Sequence, residues 1–170
     1  MKVKLLRFPT EYDWMRCKDL ALVTVGKQAS LLPSEEWKKQ MLTCEHSPIR
    51  TLMFTIEMKV PYWVSVHFAR HKYGVEHYVR SQRPDITGES RDEKRQDETV
   101  IHVMDINAQE LIFMARRRLC KLASGKTRHV MEKIVKAVVN ECPEFEGILI
   151  PNCEYLGRCP EMRSCGKARR

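Results

Sequence analysis

The amino-acid sequence predicts one α+β domain over residues 1–170, a sheet packed with helices and a long helix in the C-terminal half. Three observations carry this. Residues 51–60 alternate strictly: Leu52, Phe54, Ile56, Met58 and Val60 share one face, while Thr55, Glu57 and Lys59 share the other, the period of a half-buried strand. Helical spacing begins at Asn107 and persists to about Val139, with Met131, Ile134, Val135 and Val138 on one stripe. Strand-like and helix-like segments are interspersed, with no internal repeat and no linker that would divide the 170 residues into two domains.

In chain order, Val3 and Leu5 alternate with Lys2 and Lys4, a short N-terminal strand. Residues 11–22 place Trp14, Cys17 and Ala21 at helical intervals. Ser34 before Glu35 and Glu36 reads as an N-cap with acids in the first turn, opening a short helix through Trp37 and Met41. After the strand at 51–60, Pro61 suits the first turn of a helix through Trp63, Val64, Val66 and Phe68. That helix delivers Arg70, His71 and Lys72 near its end, with Gly74 as a stop. Residues 81–99 (SQRPDITGESRDEKRQDET) lose all periodicity and predict a long exposed loop. Gly125 interrupts the C-terminal helical stretch as a kink or a break, and residues 143–170 read as a loop-rich tail.

Composition narrows the function classes. At 43% hydrophobic and 31% charged, the chain is too apolar for disorder. No window approaches the roughly 18 apolar residues of a membrane span, and residues 1–7 lead into no signal-peptide core, so a soluble, cytoplasmic protein with no membrane partner is expected. A net charge of +8 and a pI near 9.2 point to an anionic partner, either nucleic acid or a small phosphorylated ligand. The charge is local. Residues 116–128 (RRRLCKLASGKTR) and 163–170 (RSCGKARR) carry ten positives and no negatives, which takes the rest of the chain from +8 to −2. On residues alone, each focus fits a solvated helix face or tail as well as an anion site.

Seven cysteines in a chain without a secretory signal argue for reduced thiols rather than a disulfide framework. Cys17, Cys44 and Cys120 sit among apolar residues and are expected to be small core hydrophobes. Cys142, Cys153, Cys159 and Cys165 crowd the C-terminal end, the last three at six-residue steps. They lack the short Cys-x2-4-Cys pairs of most zinc sites. Loop thiols are therefore the expectation and zinc the alternative.

Two basic constellations carry the chemistry. Arg118 lies seven residues after Leu111 and four before Leu122, on the apolar stripe of its helix, while Arg116 and Arg117 can turn toward solvent. A guanidinium at the core edge needs an anion or several acceptors, and its planar fork suits a carboxylate, a phosphate or a pyrimidine carbonyl edge. Arg70-His71-Lys72 at a helix end fits either the negative pole of the helix macrodipole or a pyrophosphate.

The text around these residues resembles the flavin-dependent thymidylate synthases, the ThyX family. His67-Phe68-Ala69-Arg70-His71-Lys72, preceded by FTIEMKVPYWVSV, is similar to the family's strand and helix ending in Arg-His-Arg. MKVKLLRFPTE looks like its first strand, and EHSPIRTLMFTIEM like its His-x-Ser segment. NAQELIFMARRRLCKLASGKTR aligns without a gap on its Asn-Ala-Arg-Ser-Leu helix, and CEYLGRCPEMRSCG resembles the Cys-rich tail of some members. The likeness covers most of the chain except residues 84–100. The chain departs from the family at Lys72 and Gln109, each in place of Arg, at Ser81, one place later than the family's Ser, and at His67, in place of Gln.

The resemblance implies a ThyX-like fold with a mixed or antiparallel sheet, and reductive methylation of dUMP to dTMP. FAD would be the cofactor, with NADPH and methylenetetrahydrofolate as co-substrates, in active sites shared between subunits of a homotetramer. It implies that Ser47, Arg70, His71, Lys72 and Asn107 contact FAD. It also implies that His67, Arg70, Ser81, Arg83, Arg91 and Arg118 contact the nucleotide, with Arg118 promoting its ionisation at N3. Two alternatives stay open: another flavin-dependent change to a pyrimidine nucleotide, and a non-catalytic nucleotide or nucleic-acid binder on the same scaffold.

Overall fold

The computed structural model describes residues 1–169. Its strands are β1 (Lys2–Arg7), β2 (Met53–Pro61), β3 (Val75–Val79) and β4 (Thr99–Asn107). Its helices are α1 (Glu11–Val23), α2 (Glu35–Thr43), α3 (Tyr62–Ala69), α4 (Pro84–Thr87), α5 (Ala108–Arg118), α6 (Gly125–Glu141) and α7 (Asn152–Tyr155). Short 3-10 turns cover Ser47–Thr51, Arg91–Glu93 and Pro143–Phe145. The sheet runs β1-β2-β4-β3 and every pair is antiparallel, which resolves the mixed-or-antiparallel expectation.

β2 is central because one of its faces is wholly apolar. Leu52, Phe54, Ile56, Met58 and Val60 are at most 1% exposed, as the alternation predicts. Its neighbour β4 turns Val100, His102, Met104 and Ile106 inward and has no counterpart in the sequence reading. The reason lies in its composition: a histidine takes an inward place while Ile101 and Val103 take outward ones, so hydropathy does not alternate although the backbone does. β3 is equally unassigned by the sequence, being only five residues with a mixed pattern.

The helices pack on this sheet through apolar stripes. A capping box between Thr10 and Asp13 opens α1, which buries Trp14 and Cys17. The Trp14 Nε1 donates to Glu144 at 2.8 Å, fastening α1 to the segment after α6. Ser34 caps α2 as expected, and inside α2 Lys38 is buried and paired with Glu11 and Glu35. Pro61 ends β2 and stands at the N-cap of α3 rather than inside its first turn.

The long helical stretch is two helices. α5 stops at Arg118, and Gly125 begins α6, so the interruption is a break and not a kink. α6 buries Thr127, Val130, Met131, Ile134 and Val138. Residues 81–98 are exposed for most of their length, as the lost periodicity suggests. Among the described residues no helix is long and apolar enough to cross a membrane.

Three expectations need correction. Cys44 is exposed and Cys120 only half-buried, so of the three cysteines assigned to the core only Cys17 is buried. Arg116 does not turn to solvent: its side chain is 13% exposed, folded onto Glu45 and over the ring of Tyr155.

Candidate functional site

The end of α3 and the body of α5 meet where β4 gives way to helix. Asn107 closes β4 and caps α5, its Oδ1 accepting from the Glu110 amide at 2.9 Å. Opposite it, Gly74 sits at φ +71, and a Cβ there would lie 2.4 Å from the Asn107 Nδ2. Only glycine lets the turn between α3 and β3 pass this close to the cap. The chain thereby brings His71, 6% exposed, against Glu110, 8% exposed.

Three side chains then form a relay. His71 Nδ1 meets Glu110 Oε1 at 2.6 Å, and Arg118 Nε donates to His71 Nε2 at 3.0 Å. Arginine has no acceptor, so His71 Nε2 must be the unprotonated nitrogen and Nδ1–H must donate to Glu110. The carboxylate selects the tautomer, and the tautomer holds the guanidinium. Among the described residues Arg118 has no acid within ion-pair distance, unlike Arg116 on Glu45 and Arg117, 3.6 Å from Glu161. Burial first, then Arg70 and Arg117, lower its pKa.

The surroundings are positive. Arg70 caps the end of α3 and, like Lys72, is exposed, with no acid within ion-pair distance among the described residues. His67 lies one turn earlier, bonded through Nδ1 to Thr127 Oγ1 at 2.8 Å. Burial, then the charges of Arg118 and Arg70, push its pKa down, favouring the neutral ring.

A second relay supports the first from below. His77 Nε2 donates to the carbonyl of His71 at 2.7 Å, so His77 Nδ1 accepts, at 2.9 Å, from His102 Nε2. His102 Nδ1 in turn accepts from Ser65 Oγ at 3.0 Å. This one-way chain ties α3, β4 and β3 to the His71 backbone. His102 is 0% exposed, and burial with the nearby His77 pushes its pKa down to about 4.

The other residues named from sequence divide into two groups. Ser47 is exposed at the start of its 3-10 turn, two residues beyond Glu45, which anchors Gln109 and Arg116. Burial raises the Glu45 carboxyl, but those hydrogen bonds outweigh it and hold it below the usual carboxylate range. Ser81, Arg83 and Arg91 lie elsewhere, together on a cavity of about 220 Å³ that Tyr62 also lines. Tyr62 begins α3 and His71 follows its end, so those two residues stand at opposite ends of about 12 Å of helix at 1.5 Å per residue. Arg83 is moreover forked onto Asp85, at 3.0 and 2.7 Å. Of the cysteines offered as zinc ligands, Cys142 is buried in the core while Cys153, Cys159 and Cys165 stay together in the tail.

No protein-family model matches the sequence, and no curated protein matches it. The fold is nevertheless shared with solved structures. A UMP/dUMP methylase, PolB from Streptomyces cacaoi, bound with 5-Br dUMP, superposes with TM-score 0.65 at 14% identity, over 86% of this chain and 93% of that one. Thymidylate synthase X from Helicobacter pylori, with FAD and dUMP, superposes with TM-score 0.67 at 11% identity, over 88% and 99%. The chain therefore has a ThyX-like α+β fold.

Proposed function

We propose that this protein is a flavin-dependent enzyme that methylates a uracil nucleotide, converting dUMP to dTMP with methylenetetrahydrofolate as one-carbon donor and NADPH as reductant. The observation that carries the reading is Arg118, a half-buried guanidinium held by His71 and Glu110 yet given no anion of its own among the described residues. A uracil edge is a fitting partner, because a guanidinium that donates to it stabilises the N3 anion and enriches C5.

The residues present also fit a flavin dinucleotide. Arg70 and Lys72 are exposed cations without acidic partners among the described residues, suited to its phosphates, and the resemblance would add Ser47, His71 and Asn107 to the residues that hold it. Bound FAD would supply the reducing equivalents for one-carbon transfer to C5. The chain's own part is to hold the nucleotide on Arg118, keep His67 neutral beside it, and surround both with positive charge.

Ser81, Arg83 and Arg91 line a cavity of their own, and a homotetramer with sites between subunits, as the resemblance implies, would let another copy present them to Arg118. Val23, Val25, Leu31 and Leu32, all at least 59% exposed, offer apolar surface for such contacts. A nucleic-acid reading is less well supported, because Arg116, Arg117 and Arg128 are engaged with Glu45, Glu161 and Glu132.

Purified protein is expected to be yellow or to acquire a flavin spectrum on adding FAD, and to perturb it when dUMP is added. It should elute at four times the 20.0 kDa chain mass. Tritium should leave C5-labelled dUMP in the presence of NADPH and methylenetetrahydrofolate. A colourless protein indifferent to FAD would end this reading. Flavin binding without tritium release would leave a different pyrimidine-nucleotide reaction.

A further inference from the structure

Four cysteines, brought from three parts of the chain, surround one void. Cys120 follows α5 by two residues, Cys153 lies in α7, and Cys159 and Cys165 belong to the tail; all four are free thiols lining the same small cavity. Its volume is about 10 Å³, close to that of one water-sized sphere. We propose that Cys120, Cys153, Cys159 and Cys165 form a structural tetrathiolate zinc site. Zinc takes four thiolates tetrahedrally at about 2.3 Å, and a structural site is closed on all sides by protein ligands.

The charges around the void agree. Four thiolates on Zn²⁺ leave a net charge of −2, and Lys121 and Lys167 stand on the same wall. The basic tail thus acquires a local counter-charge, which its sequence alone does not supply.

Among the described residues no three His, Cys, Asp or Glu side chains are already gathered to hold an ion. The thiols surround the void without converging on it, and metal would draw them inward. The chain can yield there: α7 is four residues long, and residues 156–169 contain no helix or strand. Cys142, grouped with the tail thiols by sequence, is instead a core residue whose thiol burial pushes up to about 12, and Cys120 takes its place. The sequence hides this because Cys120 stands far upstream, two residues past the helix that carries Arg118. Zinc would therefore pin the tail to the end of α5, where Arg117 already pairs with Glu161 and Arg116 covers Tyr155.

The test is metal content of the full-length protein purified without chelator. About one zinc per chain is expected by mass spectrometry of the digested protein, lost in Cys120→Ser and Cys159→Ser and kept in Cys142→Ser. Replacement by Co²⁺ should give the thiolate charge-transfer and d–d bands of a tetrahedral four-sulfur site, saturating at one equivalent. This titration uses the unmodified chain, so it decides the matter even where a variant fails to fold. Protein that is metal-free and shows no such bands would overturn the proposal. So would zinc retained in Cys120→Ser, or iron with acid-labile sulfide in place of zinc. None of these readouts involves flavin or nucleotide, so failure here leaves the proposed function standing.

Discussion

Arg118 presents five N–H donors, and among the described residues the protein meets them with one acceptor, the Nε2 of His71. That economy defines how the candidate site works at the scale of single residues. Glu110 fixes the tautomer of His71, and His71 holds the guanidinium through Nε. Replacing Arg118 by Ala should weaken dUMP binding about 10- to 100-fold, the worth of a hydrogen bond to a charged group, while flavin affinity changes little. Unchanged dUMP affinity, measured calorimetrically, would remove Arg118 from the site. Glu110→Ala should act at one remove. It leaves the buried Nδ1–H of His71 without an acceptor, a cost of about 1–3 kcal/mol in urea unfolding. It also frees His71 to exchange tautomers, visible in its ¹⁵N shifts. Glu110→Gln, which keeps an acceptor oxygen, should lose much less.

At the scale of elements, the junction of β4 and α5 is where chain geometry and site geometry coincide. Gly74 permits the close approach to Asn107, and Asn107 caps the helix that holds Glu110 and Arg118. Gly74→Ala meets two penalties, a left-handed backbone at φ +71 and a Cβ driven into the cap amide. Their sum should be roughly 2–3 kcal/mol of stability, accompanied by weaker nucleotide binding. A variant as stable as the parent would show that the cap relaxes without cost. The same junction explains what sequence could and could not reveal. β2 was legible because its apolar residues fall on one face, α2 because Ser34 caps it, α3 because Pro61 and a run of apolar residues open it, and Arg118 because it lies on an apolar stripe. β4 was not, since an inward His102 and outward Ile101 and Val103 blur its period. Glu110 was hidden differently: three residues after Asn107 it has the look of a capping-box acid, yet its side chain turns away to His71. Glu45 and Cys120 act through partners distant in sequence, which no local pattern encodes.

For the whole molecule, the net +8 resolves into partnered and unpartnered charge. Arg116, Arg117 and Arg128 in the first basic stretch answer acids of the fold, whereas Arg118, with Arg70 and Lys72 just beyond α3, is among the cations that have no acid at ion-pair distance among the described residues. Their setting rests on the chain from Ser65 through His102 and His77 to the His71 carbonyl, in which the buried His102 is the neutral link. Its groups face one another, with His77 as the titratable neighbour of His102. The consequence for stability has a definite sign. In the unfolded chain His102 takes up a proton near its ordinary pKa of 6.5, whereas in the fold it does so only at about 4. Above the ordinary value neither state binds the proton, and this residue contributes no pH dependence. Between the two values the unfolded state binds more protons, so stability must fall as the pH is lowered, by about 1.4 kcal/mol per unit and roughly 3 kcal/mol in all. Urea unfolding across this interval should show that slope. His102→Gln, which keeps a donor toward His77 but does not titrate, should flatten it. Parent stability that stays level from pH 6.5 to 4.5 would mean that His102 is protonated inside the fold, and that the relay beneath His71 tolerates charge.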